Sequence, residues 1–156
     1  MLDKCSIEER WTAVSDIIDR WLQERKDLIV QFCGISGIHQ YSPKASTSAS
    51  RLQKFCEVLV DYISAGHFEV YYQLIREAEE FKDGSAEAGK QLLPEIQDTT
   101  EIALAFDDRY GESKVDDLPD NLPKQLSALG EILATRFDLE DKLIAVMHEA
   151  HREQVA

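Results

Sequence analysis

Apolar residues recur at steps of three and four from one end of the chain to the other, and this periodicity constrains the fold more than any other feature. The spacing places them on one face of an α-helix, which has about 3.6 residues per turn. No stretch shows the sustained alternation of apolar and polar residues that marks a half-buried strand. The pattern therefore predicts an all-α protein. The first stripe comprises Ile7, Trp11, Val14, Ile18, Trp21, Leu22, Leu28, Ile29 and Phe32.

Start and stop signals divide the periodic pattern into separate helices. Ser6 and Glu9 form a capping box, in which the two side chains satisfy backbone N–H groups at a helix start, so a first helix should begin near Ile7. Gly34 and Gly37 predict where it ends, because glycine readily adopts the backbone conformation that closes a helix.

Glycine and proline residues mark the predicted loops and helix boundaries in the rest of the chain. Residues 38–48 are predicted to be a linker and residues 111–121 an acidic loop, since both hold proline among other turn-forming residues. Gly66 should break or bend a helix, and Pro94 should stand in the first turn of a helix that restarts after a short helical segment. A last long helix is predicted after Pro123. Short connections between long helices favour an antiparallel helical bundle.

Length and charge limit the classes of function. The 156 residues are enough for one domain, which we expect to span 1–156. The net charge is −13, from 17 Lys+Arg against 30 Asp+Glu. So acidic a chain is not expected to bind a nucleic-acid backbone directly or to rest on an anionic membrane, because both depend on clustered basic residues. A charged partner is expected to be basic.

The cysteines and the N-terminus indicate a cytoplasmic protein. Cys5, Cys33 and Cys56 are odd in number and widely spaced, which is typical of reduced thiols and not of a disulfide framework. Cys33 and Cys56 lie in apolar runs and are predicted to be small buried hydrophobes. No apolar run reaches the roughly 18 residues of a membrane span, and the first residues lack the apolar stretch of a signal peptide.

The sequence carries none of the common motifs for catalysis or cofactor binding. It has no G-x-S-x-G elbow, no P-loop and no G-x-G-x-x-G after a strand. None of its histidines stands three residues after a glutamate, so the Glu-x-x-His pairs of a di-iron bundle are missing. We expect no enzyme activity, no cofactor and no metal. His148 and His151, near the end of the last helix, are predicted to be solvated.

Charged residues interrupt otherwise apolar helix faces, and three blocks of sequence show this most clearly. They read DRWLQERKDL at 19–28, FCEVLVDYISAGHF at 55–68 and GEILATRFDLEDKLI at 130–144. By composition they could form ion pairs at the bundle rim, or a groove whose aromatic anchors are ringed by charges aimed at another protein. With their spacing, the blocks resemble the Rsd/AlgQ family over nearly the whole chain, and the AlgQ branch more closely than Rsd.

The resemblance implies an all-helical anti-sigma factor of bacteria. Such a protein binds region 4 of the primary, sigma-70 type, sigma factor and sequesters it from core RNA polymerase and from the −35 promoter element. AlgQ-like members are also associated with the regulation of alginate and other secreted products. The expected complex is one-to-one, with this chain as a monomer.

The matched blocks also imply which residues meet the sigma factor. Asp61 is the first choice for pairing a sigma arginine, because one carboxylate accepts a bidentate guanidinium. His67, Arg25 and Glu69 are second choices. The expected apolar contacts are Trp21, Leu28, Phe32, Phe68 and Tyr71.

Other interpretations stay open on the sequence alone. Trp21, Leu28 and Phe32 would serve equally well as ordinary core residues. A four-helix enzyme or cofactor carrier would hold a bound metal. A helical adaptor would bind some other basic protein through its acidic face.

Overall fold

The computed structural model describes residues 6–36, 45–111 and 122–155, and every regular element in these ranges is helical. This confirms the predicted all-α helical bundle. The elements are α1 (Ile7–Ser36), α2 (Ala45–Ala65), a π-helical turn (Gly66–Val70), α3 (Tyr71–Phe81), α4 (Ser85–Lys90), α5 (Leu93–Tyr110), α6 (Leu122–Met147), a 3₁₀ turn (Glu149–His151) and α7 (Arg152–Val155).

The beginning of α1 is the predicted one, and its end is not. The Ser6 hydroxyl accepts the backbone N–H of Glu9 at 3.1 Å and donates to the Glu9 carboxylate, so the capping box is present. The helix continues through Gly34, because the next residue, Ile35, is buried in the core and a single helical glycine costs only about 1 kcal/mol. Gly37 lies outside the described residues.

The other boundaries are mostly as predicted. Pro94 is the second residue of α5, after the short helix α4. The last long helix begins at Leu122, with Pro123 in its first turn. The linker prediction over 38–48 is wrong from Ala45 onward, where α2 begins with the small and hydroxylated residues that suit a helix start. The rest of that linker, and residues 112–121 of the acidic loop, lie outside the described residues.

Four long helices form a ring in the order α1, α2, α5, α6, and α6 closes it against α1. Neighbouring helices are antiparallel. Along α1, Trp21 packs on Tyr62 of α2 and Phe32 packs on Phe55, so the numbering of the two helices runs in opposite directions. Among the described helices, none is both long and apolar enough to cross a membrane.

The chain does not break at Gly66 but passes from α2 into α3 through the π-helical turn. Leu59 and Ala78, both buried, lie nineteen positions apart, which is about 5.3 turns of α-helix. The π turn contains one residue more than a regular α-helical turn, so the separation becomes about five whole turns. Leu59 and Ala78 therefore both face the core. A side chain at Gly66 would meet the Trp21 ring at 3.0 Å and the Tyr71 ring at 3.2 Å.

Two predictions about exposure are wrong. His148 and His151 are both 1% exposed, because His148 packs on Trp11 of α1 and Glu77 of α3, and His151 stacks on Phe81 at the end of α3. Cys33 is exposed. The buried residues of this part of α1 are Trp21, Leu28 and Ile35, at steps of seven, and Cys33 does not lie on the face that they share. Cys56 is buried, as predicted.

Candidate functional site

A buried carboxylate, Glu140 of α6, lies at the centre of the bundle. Its Oε1 accepts the Tyr62 hydroxyl at 2.5 Å and its Oε2 accepts the Tyr71 hydroxyl at 2.5 Å. The guanidinium groups of Arg136 and Arg25 approach the same two oxygens, at 3.0 and 3.3 Å. Burial raises the pKa of Glu140, and Arg136 and the two hydroxyls oppose that rise. One carboxyl group thus joins α2, α3 and α6, and Arg25 adds α1 to the network.

Arg136 extends this hydrogen-bond network to α5. This fully buried side chain donates to the hydroxyls of Thr99 at 3.0 Å and Thr100 at 2.7 Å, and to the Tyr71 hydroxyl at 3.0 Å. A buried arginine is tolerated where its N–H groups find acceptors, as they do here. Glu140 and Arg136 therefore act as the polar centre of the core.

Arg25 closes this network at the bundle surface. Its Nε donates to the Tyr62 hydroxyl at 3.0 Å, and its terminal nitrogens reach Asp141 at 2.7 Å and Glu140 at 3.3 Å. The guanidinium carbon also lies 4.8 Å from the centre of the Phe137 ring. Each guanidinium nitrogen thus has an acceptor within the chain, and Arg25 covers Glu140 on the side of the bundle surface.

Three of the apolar residues expected at a partner surface lie in the core instead. Trp21, Leu28 and Tyr71 are 2%, 0% and 6% exposed, because they face the interior between α1, α2 and α3. Trp21 stacks on the Tyr62 ring with centroids 4.9 Å apart and donates its indole N–H to the Tyr62 carbonyl at 3.2 Å. The expectation that these three line an exposed groove is therefore corrected.

Phe32 lies between core and surface. It packs partly buried against Phe55, with ring centroids 5.9 Å apart, and it lines a groove of about 500 Å³ beside Pro123 and Gly130 of α6. This groove lies between α1 and α6, and the remaining candidates project from α2 and the π-helical turn.

The remaining candidates form an exposed cluster at the end of α2 and in the π-helical turn. Asp61, His67, Phe68 and Glu69 are all exposed. Phe68 is 77% exposed, and its ring lies edge-on to that of His67 at 4.7 Å. The Phe68 ring is therefore accessible to a partner, and aromatic side chains are enriched in protein–protein interfaces.

Carboxylates surround this cluster on the side of α1, and we call Glu24, Asp27, Asp61 and Glu69 the acidic face. Partial burial raises the pKa of Glu24, the negative charges of Asp61, Glu69 and Asp27 raise it further, and Arg20 opposes the rise. The two helices therefore add to one negative potential, which a cation from a partner would relieve.

A second negative surface lies on the other side of Asp61, between α2 and α5. It is a groove of about 750 Å³, called here the acidic groove, whose lining consists of Gln53, Cys56, Glu57, Val60, Asp61, Asp107, Asp108 and Gly111. Asp61 is the residue shared by the acidic face and the acidic groove. Its carboxylate is thus placed where the two potentials overlap.

An apolar groove of about 490 Å³ lies beyond His67, between α3 and α5. Its lining includes Tyr72, Ile75, Leu93 and Pro94, and Tyr72 is 52% exposed. The exposed cluster therefore has a negative surface on one side and an apolar groove on the other. This combination suits a partner helix with a basic face and an apolar face.

The described residues show no group of three or more histidine, cysteine or acidic side chains that could hold a metal ion. Burial raises the pKa of Cys56 to about 12, and the nearby Asp107 raises it as well, so this thiol stays protonated at neutral pH. A protonated thiol is a poor nucleophile.

Comparison with known proteins decides the family. The family model described as "Regulator of RNA polymerase sigma(70) subunit, Rsd/AlgQ" matches residues 1–148. The chain belongs to the Rsd/AlgQ family. The resemblance seen in the three sequence blocks is thereby confirmed, and the family is one of sigma-70 regulators, a non-catalytic role.

Relatives in the Rsd/AlgQ family cover most of the chain. "Regulator of sigma D" of Yersinia pseudotuberculosis serotype O:1b (strain IP 31758) is 37% identical over 141 residues, which are 89% of this chain and 83% of the relative. "Regulator of sigma D" of Enterobacter sp. (strain 638) is 37% identical over 145 residues, which are 90% of this chain and 86% of the relative. The Yersinia enterocolitica protein of the same name is 35% identical over 141 residues, which are 89% of this chain and 84% of the relative.

Sequence reasoning about this Rsd/AlgQ chain missed the polar centre of the core. Arg136 and Glu140 stood out only as charges among apolar residues, although their spacing of four places them on one face of α6. Their burial could be foreseen from that shared face, which also carries Leu133 and Leu143. The link to Tyr62 could not, because it joins residues 78 positions apart.

Proposed function

We propose that this chain binds region 4 of the primary, sigma-70 type, sigma factor and withholds it from core RNA polymerase and from the −35 promoter element. The observation that carries the proposal is the placement of Asp61, which is exposed, belongs to both the acidic face and the acidic groove, and lies seven positions before the exposed Phe68. Membership of a family of sigma-70 regulators supports the choice of partner.

The charge of the surface fits a module that reads DNA. Such a module is basic, because it neutralises phosphates with arginine and lysine. The acidic face offers its carboxylates to those same basic side chains, so the protein and promoter DNA would compete for one surface of region 4. Asp61 is proposed to accept a sigma arginine, and Glu69 and His67 to lie at the edge of the contact.

Phe68 is proposed to supply the apolar part of the contact. Aromatic side chains that enter a pocket of the partner often carry a large share of the binding energy, while surrounding polar residues exclude water. Phe68 has that arrangement here, with His67 and Glu69 beside it in the chain and Asp61 one and a half to two turns before it.

Control in this scheme is stoichiometric. A one-to-one complex of a monomer with region 4, formed in the cytoplasm, removes sigma factor by mass action and needs no turnover. A role in alginate or other secreted-product genes stays a prediction, drawn from the resemblance to the AlgQ branch.

Calorimetric titration of purified sigma region 4 into the protein, at low and at moderate salt, tests the proposal. We expect one-to-one binding that weakens with salt, as a contact between an acidic and a basic surface does. Absence of heat and of co-elution at both salt concentrations would overturn it. Competition by promoter DNA for region 4 is a second expected result.

The role of Asp61 is tested with a matched pair of variants. Asp61→Ala should weaken region 4 binding by about tenfold or more and leave thermal stability nearly unchanged. Asp138→Ala removes the same charge from an exposed position on α6, which lines neither the acidic groove nor the acidic face, and should bind as the wild type does. Equal weakening by both variants would mean that only net charge matters and would remove Asp61 from the contact.

A further inference from the structure

Tyr62 and Tyr71 lie on either side of the π-helical turn and share one carboxylate. Tyr62 donates to Oε1 of Glu140 and Tyr71 donates to Oε2, each at 2.5 Å. The hydroxyl tips of two side chains that flank residues 66–70 are thus held by a single buried group. We call this arrangement the tyrosine clamp.

The tyrosine clamp requires the π-helical turn. Tyr62 and Tyr71 are nine positions apart, which in an uninterrupted α-helix is about 2.5 turns and puts them on opposite faces. The π turn holds one residue more, so the separation falls to about 2.2 turns, or roughly 80° instead of 180°. Both hydroxyls then reach Glu140, which they would not in a regular helix.

Trp21 supports the same geometry from α1. It stacks on the Tyr62 ring, and it meets the Tyr71 ring edge-on with centroids 5.8 Å apart. Its indole N–H donates to the backbone carbonyl of Tyr62. Tyr62 lies one turn before the π-helical turn, in which the regular α-helical hydrogen-bond pattern is interrupted. Gly66 leaves room for this ring, since a Cβ there would lie 3.0 Å from it.

The π-helical turn in turn decides which residues face outward. Gly66 and Val70 at its ends are buried, whereas His67, Phe68 and Glu69 between them are exposed. Gly66 lies against the Trp21 ring, and Val70 belongs to the hydrophobic core. The three middle residues thus face outward from a turn whose flanking residues, Tyr62 and Tyr71, are both held at Glu140 by the clamp.

We infer that the tyrosine clamp is the positioning device that holds Phe68 in its binding orientation, with Tyr62, Tyr71 and Glu140 as positioning residues that do not touch the partner. The inference rests on the proposed function for its binding readout. It also gives the buried charge a role, because buried ionic groups add little net stability and are retained in some proteins to specify one conformation.

Amide hydrogen exchange of residues 66–70 tests the clamp without any partner. Tyr71→Phe keeps the ring and removes the hydroxyl, and it should speed exchange in the π-helical turn by about tenfold or more while α6 exchanges as before. Tyr72→Phe is the matched control, because it removes the neighbouring, exposed hydroxyl that accepts from Arg76. Unchanged exchange in Tyr71→Phe, or equal acceleration in both variants, would overturn the clamp.

Binding to region 4 tests the positioning role through a double-mutant cycle. Tyr71→Phe should weaken binding about fivefold or more, whereas Tyr110→Phe, which removes a buried hydroxyl bonded to Gln125 outside the proposed contact, should not. If Tyr71 acts through Phe68, the double variant Phe68→Ala/Tyr71→Phe should bind no more weakly than Phe68→Ala alone. Additive losses would overturn the positioning role. Should Tyr71→Phe fail to fold, Tyr62→Phe provides the same cycle by removing the other hydroxyl that donates to Glu140.

Failure of the inference and failure of the proposed function give different results. Wild-type protein that does not bind region 4 contradicts the proposed function, while the exchange experiment still decides whether the clamp holds the π-helical turn. Wild-type binding with no effect of Tyr71→Phe on exchange or affinity contradicts the inference and leaves the proposed function standing.

Discussion

Trp11 and His148 stack with their ring centroids 4.3 Å apart and 8° between the ring planes, although 137 positions separate them in the chain. The Trp11 indole N–H donates to the His148 carbonyl at 3.0 Å, and His148 Nδ1 lies 2.8 Å from the Glu77 carboxylate. This contact joins the first turns of α1 to the end of α6 and to α3. The region after α6 is therefore part of the bundle.

Trp11→Phe should destabilise the protein by about 1 kcal/mol, because the ring contact is largely retained and the hydrogen bond to the His148 carbonyl is lost. Urea denaturation measures the change as a lower midpoint at an unchanged slope. Thr12→Ala, which alters an exposed residue next to it, is the control. A stability equal to the wild type in Trp11→Phe would mean that the stacking alone fixes the two ends.

Gly66→Ala and Gly34→Ala should change stability in opposite directions. The Cβ of an alanine at position 66 would press on the buried Trp21 and Tyr71 rings, so we expect a loss of about 1–3 kcal/mol. At position 34 nothing lies within 4 Å, and alanine should stabilise α1 by up to about 1 kcal/mol. Thermal unfolding of the two variants checks this, and a gain at position 66 would contradict the close packing described there.

Cys33 and Cys56 should differ in reactivity. Cys33 is exposed, whereas burial raises the pKa of Cys56 to about 12. Because the thiolate is the reactive form, iodoacetamide at pH 8 should modify Cys33 in the native protein and Cys56 only after unfolding. Peptide mass spectrometry distinguishes the two sites. Rapid native modification of Cys56 would show that α2 and α5 separate readily.

Asp83 should make stability depend on pH in the acid range. Hydrogen bonds from Ser85 and His151 hold the pKa of Asp83 below its ordinary value. A carboxylate whose pKa is lower in the folded state stabilises the fold above its unfolded pKa, about 3.9, and that contribution is lost as the pH falls further. The stability difference between wild type and Asp83→Asn should therefore be at its full size above about pH 5 and shrink below about pH 4.

Urea denaturation across that pH range measures the Asp83 contribution, with Asp98→Asn as an exposed carboxylate for comparison. A difference between wild type and Asp83→Asn that stays constant down to pH 3 would contradict the lowered pKa. It would indicate a loss of packing instead.

Much of the secondary structure was predictable because its signals are local. The capping box at Ser6, the proline at the start of α5 and the stripe of apolar residues each depend on neighbours within one or two turns. The errors at Gly34 and at Ala45 are errors of a few residues at helix ends. There, contacts with the rest of the bundle outweigh weak local preferences.

Which candidate site residues are buried and which are exposed was not predictable from local signals. Trp21, Leu28, Phe68 and Asp61 belong to the same matched blocks, yet the first two are buried and the last two exposed. A helix offers several faces, and periodicity alone does not tell which face a neighbouring helix will cover when aromatic and charged residues are mixed on it. The π-helical turn adds to this, because it rotates Phe68 relative to α2.

Four properties of this protein can be read from its sequence: the helical class, most helix boundaries, the acidic character and the family. These follow from composition, from spacings within a few turns and from motifs that can be read along one chain. The tertiary structure alone decided that Arg25 seals Glu140 from 115 positions away and that Asp61 and Phe68 remain at the surface. The reason is physical: burial and ion pairing depend on which helices meet, and those contacts join residues that no local pattern connects.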